Sequence, residues 1–115
     1  MRKVLFVEIG ILLQKDNEAF SSYNQVYDKK YGYYDEDQFF VKTIQEGKEY
    51  INDYIKNGVI NTYGIISLIE ISKDTPIEEL NNEVPFSIVK YNVEDVVYSI
   101  CKDENNTIIE NFINQ

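Results

Sequence analysis

Histidine is absent from this chain. That removes the imidazole general base, the Ser-His-Asp and Cys-His arrangements, and every histidine metal ligand. The one cysteine, Cys101, can make neither an internal disulfide nor a structural zinc site. A solitary thiol agrees with a reducing compartment, so the expected location is the cytoplasm. The five glycines, at 10, 32, 47, 58 and 64, never fall in a phosphate-loop spacing. The longest apolar run, Val4 to Leu13, is interrupted by Glu8 and Gly10 and is too short to span a membrane. No small-residue cleavage site follows it, so it does not read as a signal peptide. Arg2 is the single arginine and the lysines are spread thinly. Phosphate neutralisation needs clustered cations, so direct nucleic-acid binding and adsorption to an anionic membrane are both disfavoured.

What is present is acid and tyrosine. Twenty acidic residues stand against 11 basic ones, a formal net charge of −9. The chain is 43% hydrophobic and 27% charged, the composition of a folded protein and not of a disordered one. A length of 115 residues corresponds to one domain with one core, residues 1–115.

The clearest element is a helix between Thr43 and Gly58. Thr43 and Glu46 form a capping box at its start. Successive residues 100° apart place Ile44, Ile51, Tyr54, Ile55 and Gly47 on one side, the expected buried stripe. Glu46, Glu49 and Asp53 fall within roughly 60° of one another on the opposite side. Asn57-Gly58 reads as the stop, with glycine in the left-handed conformation. Gly47 on the apolar stripe predicts a strand backbone close by.

Around this helix, Lys3 to Gln14 reads as a long central strand, apolar on both faces. Lys15 to Glu18 is a predicted turn and Ala19 to Tyr27 a returning strand. Asp28 to Gln38 fits neither a period of 2 nor one of 3.6, and is expected to be an exposed loop. Phe39 to Lys42 is a short strand leading into the helix. Thr62 to Ser72 is a further buried strand. Thr75-Pro76-Ile77-Glu78 begins a short helical turn, with proline at the first helical position. Phe86 to Tyr91 and Val93 to Lys102 are predicted strands. Residues 107–113 alternate in a way that favours a closing hairpin over a terminal helix. The fold class is α+β: a mainly antiparallel sheet of five to six strands with one helix, about 44–57, packed on one face.

An enzyme built from these residues would have to work with carboxylates and tyrosines alone. Most of the acid pairs, such as Glu78-Glu79 and Asp103-Glu104, lie in predicted turns, where no cleft raises a pKa for acid catalysis. Glu8 differs, because it interrupts an apolar strand, and the plain reading puts it near the sheet's rim. Asp35, Glu36 and Asp37 are adjacent and lack the alternate spacing of a calcium loop. No catalytic residue, cofactor or metal ligand is therefore expected.

The remaining signal is tyrosine beside acid. Five of the ten tyrosines lie between Tyr23 and Tyr34. Amphipathic rings of this kind anchor interfaces, and neighbouring acids steer a basic partner. The candidate partner-binding residues are Tyr31, Tyr33, Tyr34, Asp35, Glu36, Asp37, Glu46, Glu49 and Asp53. Carboxylates recur every 5–6 Å along a helix face and about 6.7 Å along one face of a strand, so rows of them approximate a phosphate backbone. Lys48 and Lys56 flank the helical row and dilute it.

In size, acidity and lack of catalytic groups the chain is similar to the small phage-encoded inhibitors of host nucleases, such as anti-CRISPR and anti-restriction proteins. The resemblance implies a small acidic protein-binding inhibitor, encoded by a phage or mobile element, that occupies a basic nucleic-acid-handling partner. Two alternatives stand beside it: an immunity protein neutralising a toxin, and a small-ligand-binding or carboxylate/tyrosine enzyme module around Glu8. A homodimer through an edge strand is also compatible with the pattern.

Overall fold

The computed structural model describes residues 2–14, 31–58, 60–71, 76–81 and 95–114; for 13, 14, 31–35 and 114 it describes the backbone alone. The elements are β1 (Arg2–Gln14), β2 (Tyr31–Val41), α1 (Ile44–Asn57), β3 (Thr62–Ile71), α2 (Ile77–Leu80), β4 (Val96–Lys102) and β5 (Ile108–Glu110), followed by a 3-10 turn at Phe112–Asn114. The five strands form one antiparallel sheet in the order β2-β1-β3-β4-β5. Among the described residues no helix is long and apolar enough to cross a membrane.

β1 lies inside the sheet because both of its faces are apolar. Val7 and Ile9 face α1, together with Val41, Ile66 and Ile100. Val4, Phe6 and Leu12 point to the opposite, back face. Phe6 and Phe40 are register partners there, with ring centroids 5.1 Å apart. Leu80 of α2 covers one end of the back face. Phe112 and Ile113 close the other, over Tyr63, Ile65 and Cys101.

The helix seats by a peg in a notch. Ile51 and Ile55 are fully buried, and each such side chain contributes roughly 1.5–3 kcal/mol relative to exposure. Gly64 pairs with Ile9 on β1 and Ile100 on β4. A Cβ on Gly64 would lie 3.0 Å from the Cβ and 2.8 Å from the Cγ1 of Ile51, so the missing side chain is the space that Ile51 fills. At Gly47 the close neighbours are side chains and not a strand backbone as expected: an added Cβ would stand 2.8 Å from Ile66 and 3.3 Å from Val7. Ile44, assigned to the buried stripe, is 42% exposed.

Several other expectations are corrected. The segment expected to be a loop up to Gln38 is strand from Tyr31 onward, and joins the predicted strand at Phe39. Its alternation is broken by a β-bulge: Ile9 pairs with Asp37 and Gly10 with Asp35, leaving Glu36 as the extra residue. Glu8 is not at the rim; it is 3% exposed in mid-strand, with Gln38 and Ile65 as register partners. Gly58 is extended, at φ −87°, and not left-handed. A side chain there would meet the Tyr54 carbonyl oxygen at 2.6 Å, which is why glycine suits the helix end. Pro76 occupies the position before α2 and not its first turn. Residues 108–110 pair with β4 as the expected hairpin, but Asn111 adopts φ 54° and turns the chain into the 3-10 segment. Consecutive Phe112 and Ile113 are both buried, which a strand with one wet face cannot achieve. The predicted turn at 15–18 and the strands at 19–27 and 86–91 lie outside the described residues.

The β2 end of the sheet is partly covered. Asn81 donates from Nδ2 to the Phe40 carbonyl at 3.0 Å and accepts from the Phe40 N–H at 2.6 Å. One side chain thus satisfies the outward backbone pair that a neighbouring strand would use.

Candidate functional site

α1 begins as its residues dictate. Thr43 is extended, at φ −133° and ψ 153°, and its hydroxyl accepts from the Glu46 N–H at 3.1 Å. Glu46 reaches back to the N–H of Lys42, 3.3 Å away, one residue earlier than the reciprocal bond of a standard capping box. The Lys42 ammonium pairs with Glu78 of α2. That contact raises the Lys42 pKa and lowers that of Glu78, chiefly through the side-chain hydrogen bond. Both groups are well exposed, so the pair adds little stability.

The bulge and the helix are joined across the sheet surface. Tyr54 donates its O–H to the Glu36 carboxylate at 2.7 Å. Burial pushes the Tyr54 pKa well above the ordinary tyrosine range, and the bond to Glu36 and its charge add to the effect. The phenol therefore stays protonated and remains a donor. Asp37, next to the bulge, accepts from the Gln38 N–H at 2.9 Å.

On the outer face of α1, Glu49 accepts from Gln45 Nε2 at 3.3 Å and Asp53 from Asn57 Nδ2 at 3.2 Å. Five exposed acids, Glu36, Asp37, Glu46, Glu49 and Asp53, are thus each oriented by an uncharged donor: a phenol, a carboxamide or a backbone N–H. On the outer surface of α1, Lys48 and Lys56 line the same shallow depression as Glu46, Glu49, Tyr50 and Asp53. Lys48, expected to dilute the row, sits 4.8 Å above the ring of Tyr98 on the β4 side of the helix. Tyr98 donates to Asn52 at 3.3 Å, and burial raises its pKa. Lys56 remains on the exposed surface near Asp53.

Of the nine predicted site residues, Glu36 meets the helix through Tyr54, Asp37 is held by the N–H of its neighbour Gln38, and Glu46, Glu49 and Asp53 share the helix's outer face. Tyr31, Tyr33, Tyr34 and Asp35 lie farther along β2, opposite Gln14, Leu12, Ile11 and Gly10. Sequence reasoning did not single out Tyr50, which is 57% exposed with its ring packed on Phe39 at a centroid distance of 4.9 Å. The signal was available: Glu46 precedes Tyr50 by four residues and Asp53 follows by three, so all three share one helix face. Among the described residues no group of three or more acids or thiols is arranged to hold a metal ion. No protein-family model, curated protein or solved structure matches the chain.

Proposed function

We propose that the chain is a small acidic protein-binding inhibitor, of the anti-defence or nucleic-acid-mimic kind, that occupies the basic surface of a nucleic-acid-handling partner. The observation that carries this reading is the set of five exposed carboxylates from two elements, each held by a neutral donor. An acidic face that served only solubility would gain from interspersed Glu-Lys pairs at helical spacing, which lower net field and add stability. Here Lys48 is turned to Tyr98 and Lys42 to Glu78, so Lys56 is the one helix lysine left beside the row without such a contact among the described residues. The net negative field of a chain carrying −9 speeds encounter with a polycationic surface and competes with phosphates for it.

The test uses the full chain as bait in lysate of its native host, beside a variant carrying E36Q, D37N, E49Q and D53N. Glu46 is left intact because it caps the helix. The expected prey is a nucleic-acid-binding protein whose DNA or RNA is displaced by the chain in fluorescence anisotropy. Four exposed charge pairs at about 0.2–1 kcal/mol each predict roughly fourfold or greater weakening in the variant. Equal recovery and equal competition by the two proteins would show that the acids serve solvation only.

A further inference from the structure

The proposed surface contains one side chain whose exposure the fold does not use. Tyr50 lies on the outer half of α1, away from the stripe of Gly47, Ile51 and Ile55 that seats the helix. Phe39 supports its ring at an interplanar angle of 59°, yet 57% of the residue stays in solvent. An aromatic ring held by a neighbour and left open loses little rotamer freedom on binding, which is the property of an interface anchor. Its neighbours set the chemistry. Glu46 lies one turn before it and Asp53 one turn after, separated by about 10 Å along the helix axis. A cation over the ring would thus have a carboxylate-bearing residue one turn to either side of it.

Resting on the reading above, we propose that Tyr50 is the anchor of the acidic surface and receives an arginine side chain of the partner. The guanidinium stacks on the ring while its N–H groups donate to Glu46 or Asp53. Arginine fits where lysine does not, because its plane lies flat on an aromatic face and still presents donors at its edge. The same helix already shows the weaker form of this contact on its other flank, where Lys48 covers Tyr98. Among the described residues no cation occupies the corresponding place over Tyr50.

The test titrates octa-arginine and octa-lysine peptides into the isotopically labelled full chain at low salt, followed by amide chemical shifts. Octa-arginine should bind about two- to fivefold more tightly than octa-lysine, with the largest shifts between residues 46 and 54. Tyr50→Phe should keep that preference and Tyr50→Ala should abolish it, with both variants retaining the native spectrum elsewhere. A preference for arginine that survives Tyr50→Ala overturns the anchor. If the four-acid variant meanwhile weakens both peptides, the acidic-surface reading stands without the anchor. If that variant weakens neither peptide, both ideas fall.

Discussion

Replacing Gly64 with alanine should destabilise the protein by about 1–3 kcal/mol, the usual cost of overfilling a packed core. The added methyl would be 3.0 Å from Ile51 Cβ and 2.8 Å from its Cγ1, and closer still to Cγ2. Rotating Ile51 about χ1 exchanges the γ carbons but cannot move Cβ, and a β-branched side chain in a helix is stiff at that bond. The helix itself must lift by several tenths of an ångström, which loosens Ile51 and Ile55 together. Ile51→Ala alone should cost about 2–5 kcal/mol by leaving a cavity. In the double variant the new methyl enters that cavity. The combined loss should then fall short of the sum by about 1 kcal/mol or more, a coupling expected only of groups in contact. Urea unfolding followed by far-ultraviolet circular dichroism supplies all four corners of the cycle. Additivity within about 0.5 kcal/mol, or a neutral Gly64→Ala, would refute the peg-and-notch account.

Two further outcomes follow from the helix ends and the bulge. Thr43→Ala should lower stability by about 1 kcal/mol through loss of the hydroxyl that meets the Glu46 N–H, whereas Thr43→Ser should stay near wild type; equal urea midpoints for the two would refute the cap. Tyr54 has a folded-state pKa above its unfolded value of about 10, so its contribution is complete below that pH and is lost as pH rises through the folded value. The wild-type urea midpoint should therefore fall more steeply above about pH 10 than that of Tyr54→Phe, and parallel declines would show that the phenol is not linked to folding.

The helix was legible because three independent signals agreed. Thr43 caps it, Ile51 and Ile55 set its face, and Gly58 ends it. The glycine's role was misjudged, since proximity to the Tyr54 carbonyl and not handedness requires it. β1 and β3 were legible because each is a long, nearly continuous apolar run, as a strand buried on both faces requires. β2 was not, because Glu36 resets the alternation halfway along it, and a period sought across 28–38 straddles the reset. Glu8 was misplaced for a different reason. Burial of a carboxylate in mid-strand depends on what the fold brings over it, which one strand's pattern does not contain. The acids of the candidate surface could be named from sequence, but their neutral partners could not. Tyr54 meets Glu36 across 18 positions of chain, and no spacing rule anticipates that bond.

Glu36 has a consequence for how this surface can change over time. Ile9 and Gly10, adjacent on β1, already face Asp37 and Asp35, so Glu36 is supernumerary to the ladder. Loss of that single codon would leave the Ile9–Asp37 and Gly10–Asp35 pairs in register. Charge at the rim of the molecule is thus encoded by an appendage that evolution can edit separately from the interior.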